Sequence, residues 1–334
     1  MKLHHLRDLV AIAQHGSIRG AARHLGTVQP TLTRSLSELE RELGTPFFER
    51  HSKGMILTPL GQTFLTRAAA ILNDVRKAAD EVEQMKGNMI GEVTVGLSIA
   101  AHLRLLPKAL PPFRQRFPKV RLHVIEGFYP TLETQLKDGS VDFYVGPDPG
   151  LKLPSALRKE PMLSGDRAVL CRTGHPLAKS TSLNQLVGAE WITTSITLKA
   201  ESELGDLFKR HKLAKPTLAM QTQSALTLLT CLANSDLLAM APTQWVESPF
   251  ANHVITTIQI REELTPASII AVTRSDSPLS PAADFLLDLM RRIAGREVPA
   301  LSKAISTKTS TTSGHRPRSL RPVDVIVGSK SPLR

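Results

Sequence analysis

Cysteine is scarce in this chain, with only Cys171 and Cys231 among 334 residues, so a disulfide-stapled secreted scaffold is excluded. No apolar run approaches the length needed to cross a bilayer. Met1 leads directly into an amphipathic segment with no signal peptide, which predicts a cytoplasmic protein without a membrane partner. Also missing are a glycine-rich phosphate loop, a metal-ligand set and a Ser/His/Asp arrangement of recognisable spacing. Cys171 and His175 lie four residues apart but are too small a set for zinc. These absences leave no catalytic residue, cofactor or metal to name, and they point to a binding protein rather than an enzyme.

What is present is core-forming bulk and positive charge. An apolar content of 41% is enough for real cores in more than one domain, and a formal net charge of +12 suits a phosphate-rich partner. The excess is uneven. Residues 1–60 hold 8 Lys/Arg against 5 Asp/Glu, whereas residues 296–334 hold 8 against 2. That last segment, rich in Ser, Thr, Pro, Lys and Arg, reads as a disordered basic tail, either a passive extension or a source of nonspecific DNA affinity.

Gly16 to Gly44 reads as two short helices joined by a tight turn. Ser17 is a good N-cap, and Ile18, Ala21, Ala22 and Leu25 share one face before Gly26 stops the helix. A second helix begins near Thr27 and tolerates Pro30 in its first turn. Val28, Leu32, Leu36, Leu39 and Leu43 form its expected inward stripe, with Gly44 as C-cap. Gln29, Thr31, Thr33, Arg34, Ser37 and Glu38 are left outside. Such a face suits base edges and phosphates in a major groove, and equally the solvated side of an ordinary helical pair. Leu3, Leu6, Val10 and Ala13 predict a preceding helix, which completes a three-helix unit. Beyond Gly44, two extended runs flank Ser52, Lys53 and Gly54 and predict a hairpin wing with a basic tip.

Thr58 and Pro59 then start a long helix. Phe64, Ala68, Ile71, Val75, Ala78, Val82 and Met85 alternate steps of four and three, a heptad seam. A helix roughly 40 Å long has little within a small winged unit to cover that seam, so it is either one core helix or a dimerisation helix. From Gly91 strands and helices alternate, which predicts an α/β fold with largely parallel sheets. Strands are expected at 93–98, 120–126, 141–145, 168–171, 191–194, 218–222, 237–241, 254–260 and 268–273. The helices between them are expected at 103–117, 132–138, 200–211, 225–233 and 281–293. Ser98 and the Thr222–Ser224 segment each end a strand just ahead of a helix. Their hydroxyls and free N–H groups serve either as N-caps or as a receptor for a carboxylate. His102, Arg104 and Lys199 either approach a ligand charge or face solvent.

These motifs, taken in order, resemble the LysR-type transcriptional regulators. The N-terminal matches are S-x-x-x-A-A-x-x-L from Ser17, Q-P-T-L-T-R from Gln29, L-E-x-E-L-G from Leu39, and F-F-E-R followed by L-T-P-L-G between Phe47 and Gly61. Further on stand G-x-V-x-V-G from Gly91, E-G at Glu126, L-K-D-G-S-V-D-F from Leu136 and G-H-P-L from Gly174. One departure is Val28, where the family commonly carries Ser or Thr. The resemblance implies a winged helix-turn-helix over residues 1–60, a linker helix over 61–90 and a two-lobed effector-binding domain over 91–295, built like a type 2 periplasmic binding protein. Lobe one would cover about 91–163 and 267–295, and lobe two about 164–266.

It implies DNA contacts from Ser17, Thr27, Gln29, Pro30, Thr31, Thr33, Arg34, Ser37, Arg50 and Lys53. The linker seam would pair two subunits, with a homotetramer as the assembly, double-stranded promoter DNA and a small-molecule effector as ligands, and RNA polymerase as a further partner. The effector would be a small organic or aromatic acid, a sulfonate or a sugar derivative. Its site would include Ser98, Ala100, His102, Tyr129, Thr131, Ser195, Thr197, Thr222 and Ser224. The alternative is a solute-binding or transport component on the same two-lobed scaffold, which the attached DNA-binding motif and the missing secretion signal argue against.

Overall fold

The computed structural model describes residues 1–51, 54–194, 199–247 and 251–309, with Arg50, 199–200, 247 and 296–309 described by backbone alone. Residues 1–295 form one compact unit and 296–334 a second.

The first unit opens with three helices, α1 (Leu3–His15), α2 (Ile18–His24) and α3 (Gln29–Leu43). Ser17 caps α2 as expected, its Oγ accepting from the Gly20 amide at 3.1 Å. Gly16, Gly26 and Gly44 end or separate these helices with φ near +60 to +70°, a region that other residues enter at a cost. Leu6, Leu9, Ile12, Ala21, Leu32, Leu36 and Leu39 meet in one core. The expected stripe on α3 loses both ends. Val28 is the N-cap, outside the helix and 64% exposed, and Leu43 in the last turn is 43% exposed. A stripe at helical spacing faces inward only where the helix is backed by neighbours, and α3 outruns them at both ends.

The wing is an antiparallel hairpin of β1 (Phe48–His51) and β2 (Gly54–Leu57). It docks by its backbone, the Met55 amide bonding the Gly16 carbonyl at 2.9 Å. Gly54, at φ +126°, lies so close to the same carbonyl that a Cβ would collide with it. α4 (Pro59–Met85) follows, with Thr58 capping it through the Gly61 amide and Pro59 in its first turn. Phe64 stacks on Phe47 at 4.6 Å between ring centroids, and Ala68 is fully buried in the winged core. The seam is therefore shorter than its sequence suggests. Ile71, Val75, Ala78, Val82 and Met85 remain exposed, while Phe64 and Ala68 are covered within the chain.

The rest of the unit is α/β. In chain order it contains β3 (Ile90–Leu97), α5 (Ile99–Arg104), α6 (Leu106–Arg116), β4 (Lys119–Glu126), α7 (Tyr129–Lys137), β5 (Phe143–Pro147) and β6 (Leu157–Gly165). Then come β7 (Arg167–Arg172), β8 (Glu190–Thr194), α8 (Lys199–Arg210), β9 (Thr217–Thr222), α9 (Ala225–Ala233), β10 (Ala239–Pro242), α10 (Gln244–Glu247) and β11 (Ile255–Ile258). β12 (Ala267–Arg274) and α11 (Pro281–Thr309) close it.

Five strands in the order β4-β3-β5-β12-β6 make the sheet of lobe one. Lobe two carries β10-β7-β11 and the pair β8-β9, joined by a bridge between Trp191 and Leu238. The expected largely parallel sheets are mixed instead. β3 pairs in parallel with β4 and β5, and β8 with β9, but β12 runs antiparallel to β5 and β6, and β7 to β10 and β11. The reason lies in the connectivity. The chain leaves lobe one along β6 and returns along β12, and a strand that re-enters beside its exit does not need a parallel crossover.

Two other expectations change. The helix expected over 103–117 breaks at Leu105 into α5 and α6, because Pro107 fits a helix's first turn and not its interior. α11 continues to Thr309, past the expected end at 293 and into the segment read as disordered. Ala294, Val298, Leu301 and Ile305 repeat at helical spacing there.

Candidate functional site

The chain offers two sites, one on α3 and one between the lobes. On α3, Gln29, Pro30, Thr31, Arg34 and Ser37 are exposed, and Thr33 is half-buried. The Thr33 hydroxyl donates to the Gln29 carbonyl at 3.1 Å. Arg34 is anchored through Nε to Glu38 one turn on, at 2.8 Å. That hydrogen bond raises the Arg34 pKa and holds the Glu38 carboxyl below its ordinary value, so both stay charged. The contact uses Nε, so the terminal nitrogens that pair with guanine or phosphate are not the atoms of this bond. Ser17 is the N-cap of α2, and Thr27, two residues past its C-cap, bonds the Ala22 carbonyl through its amide at 3.0 Å. Arg50 lies on the wing opposite Met55. Lys53, at the expected basic tip, lies outside the described residues.

The second site is a cleft of about 160 Å³ walled by both lobes. It falls below the ~300–1,000 Å³ of pockets for drug-sized ligands, so in this conformation it suits a small molecule. Ser98, Ala100 and Tyr129 line it, as the sequence suggested. Ser98 is 1% exposed and caps α5 through the Ala101 amide at 3.4 Å. The cap role is therefore compatible with a place on the cleft wall.

Of the other expected residues, His102, Thr131, Thr222 and Ser224 are not on the wall. His102 turns back along α5, its Nδ1 3.2 Å from the Ser98 carbonyl, and Thr131 is exposed and bonds the Phe128 carbonyl at 3.0 Å. Thr222 and Ser224 are engaged locally, Thr222 Oγ1 accepting from the Ser224 amide and Ser224 Oγ from the Thr227 amide. These hydroxyls act as turn and cap, for which serine and threonine are well suited. Ser195 and Thr197 lie outside the described residues.

Sequence reasoning missed the charged part of the cleft. Arg167, the first residue of β7, bonds Glu203 on α8 at 2.7 Å, and both side chains line the wall beside Phe128, Ile192 and Trp245. The two lie 36 positions apart, and only an arginine opening a strand whose interior is apolar hinted at them. Elsewhere in lobe two His175 has both ring nitrogens engaged. Nδ1 accepts from the Leu177 amide at 2.9 Å, which makes Nε2 the donor to the Asp236 carbonyl at 3.1 Å. Burial pushes the Cys171 thiol up to about 11, so it is not a reactive thiolate at neutral pH. Among the described residues no cluster of His, Cys, Asp and Glu could hold a metal ion, and no helix is long and apolar enough to cross a membrane.

A third feature joins the two sites. Lys77 on α4 pairs with the buried Asp142 at 2.7 Å, and the other oxygen of Asp142 accepts from the Thr94 amide at 2.8 Å. Arg274 at the end of β12 forks onto Asp74 of α4 at 2.8 and 3.2 Å, while its Nε bonds Asp276. Gln84 bridges the Ile90 carbonyl and the Ala282 amide. The linker helix is thus bound to lobe one by directional polar contacts.

Known proteins match this arrangement along most of the chain. Residues 3–62 match the bacterial regulatory helix-turn-helix protein, lysR family, and residues 86–294 the LysR substrate binding domain. The HTH-type transcriptional regulator TdcA of Escherichia coli K12 is 24% identical over 290 residues, covering 87% of this chain and 92% of its own. GbpR of Azospirillum brasilense, another HTH-type transcriptional regulator, is 27% identical over 297 residues, covering 87% of this chain and 86% of its own. The crystal structure of the LysR family regulator CbnR superposes with a TM-score of 0.65 at 20% identity, covering 88% of this chain and 99% of that one. With a two-domain match spanning both sites, this chain belongs to the LysR family of DNA-binding transcriptional regulators with an effector-binding domain.

Proposed function

We propose that residues 1–60 bind a pseudopalindromic promoter site through α3 and the wing, that 61–90 pair two chains, and that 91–295 close on a small effector between the lobes. The observation that carries this reading is the division of labour along one chain. α3 turns Gln29, Thr31, Arg34 and Ser37 outward and Leu32, Leu36 and Leu39 inward, and the same chain carries a cleft built from two lobes. Gln29 and Arg34 read base edges, while Thr31, Thr33 and Ser37 position the helix on the backbone.

In the cleft, an effector with an anionic group takes Arg167 by displacing Glu203, and Ser98 supplies a hydroxyl beside it. Small organic and aromatic acids fit that chemistry. Occupancy then biases one arrangement of a homotetramer over another, a population shift driven by the effector's differential affinity. No covalent chemistry is needed, so the protein is not an enzyme. It works in the cytoplasm, where DNA and RNA polymerase are its partners.

The test is Gln29→Ala in the full-length protein, read by footprinting on the promoter of the neighbouring divergent gene. The sequence-specific footprint is expected to vanish while helical content and oligomeric state stay unchanged. An unaltered footprint would take α3 out of its assigned role.

A further inference from the structure

Val28 has no use inside the fold. It is the N-cap of α3, with φ −93° and ψ 145°, yet it makes no side-chain cap bond; only its carbonyl is engaged, accepting from the Thr31 amide at 3.1 Å. A serine, threonine or aspartate at an N-cap usually stabilises a helix. Valine gives that up here, and it does not add to the core either. At 64% exposure it is the most exposed large apolar side chain among the described residues of the winged segment. It stands beside the exposed Gln29 and Thr31, at the end of the helix whose first residues meet base edges when such a helix enters a major groove. A β-branched side chain is stiff at χ1, so the methyls are presented in a defined direction.

Of the groups that base pairs display in the major groove, the C5-methyl of thymine is the apolar one. We infer that Val28 reads a thymine methyl in each half-site, setting T·A at one symmetric position by van der Waals contact and not by a hydrogen bond. The inference rests on α3 being the recognition helix.

The test uses full-length protein and a duplex selected by it from a randomised library. Each thymine in the selected half-sites is replaced singly by uracil, which removes only the methyl, and affinity is read by fluorescence anisotropy at fixed salt. One symmetry-related thymine per half-site should weaken wild-type binding about fourfold when replaced, and about fifteenfold when both are, the size expected for losing one buried methyl-sized group each. Val28→Ser should bind the thymine and uracil duplexes equally well, and Val28→Ala should keep only part of the difference. Val28→Ser restores a capping hydroxyl, so loss of folding cannot account for its result. The inference is overturned if no thymine is sensitive, or if the variants keep the wild-type penalty. Failure of the recognition-helix reading would look different: Gln29→Ala would still discriminate the selected duplex from a scrambled one.

Discussion

The two faces of α4 are made of opposite materials. One carries Ile71, Val75, Ala78, Val82 and Met85, apolar and exposed; the other carries Asn73, Asp74, Lys77 and Gln84, polar and joined to lobe one. Apolar burial is strong but non-directional, so the first face suits a second copy of the helix at low specificity cost. Charged hydrogen bonds hold one geometry and are expensive to break once desolvated. A helix so built can join a partner on one side while following its own effector lobe on the other.

The comparison can be broken most severely on its polar side. Asp142→Ala should destabilise the protein by about 3–5 kcal/mol in urea titration, because it leaves Lys77 part-buried without a counter-charge and the Thr94 amide without its acceptor. A loss below 1 kcal/mol would show that the contact is peripheral. Next comes the apolar side. Val82→Glu should leave the unfolding midpoint of the single chain nearly unchanged but weaken self-association roughly a hundredfold by analytical ultracentrifugation, since a symmetric seam loses ~1.5 kcal/mol twice. Unchanged association would place the dimer contact elsewhere.

The smallest effect is at the margin of the polar side. The hydrogen bond from Arg274 holds the Asp276 carboxyl below the ordinary carboxylate range, against a smaller opposing push from burial. A depressed carboxylate contributes stability above its unfolded pKa of about 3.9, and that contribution is lost as pH falls through the lowered folded value. Asp276→Asn should therefore lower stability slightly at neutral pH, flatten the acid limb below about pH 4, and leave stability unchanged at lower pH still, where the wild-type carboxyl is protonated. Asp276 is half-exposed, so solvent screening keeps the difference small.

Much of the first domain was legible from the chain alone. Ser17, Gly26 and Gly44 punctuate two helices, Leu32, Leu36 and Leu39 mark the inward face, and Thr58 with Pro59 opens α4, because caps and periodicity are local properties. The edges of the pattern misled. Val28 and Leu43 share the spacing of the core residues yet face outward, since burial needs a neighbour as well as a phase. In the effector domain the strand that leaves lobe one, β6, was missed altogether. Its alternation is broken by Pro161, and its pairing with β12 joins residues more than a hundred positions apart.

The cleft was legible only at two strand-to-helix junctions, at Ser98 with Ala100 and at Tyr129. Its charged pair was not, nor was the polar face of α4. Asp74, Lys77 and Gln84 look like the solvated side of an amphipathic helix, and their partners Arg274, Asp142 and Ala282 arrive from segments 200, 65 and 198 residues away.

The sequence by itself determined the winged motif, the heptad phase, the alternation of strands and helices, and the family, because each is written in short-range spacing. Only the tertiary structure decided which part of the seam stays open, which residues wall the cleft, and how the linker helix is bound to lobe one. Those depend on distant side chains meeting in space, and no local pattern encodes the meeting.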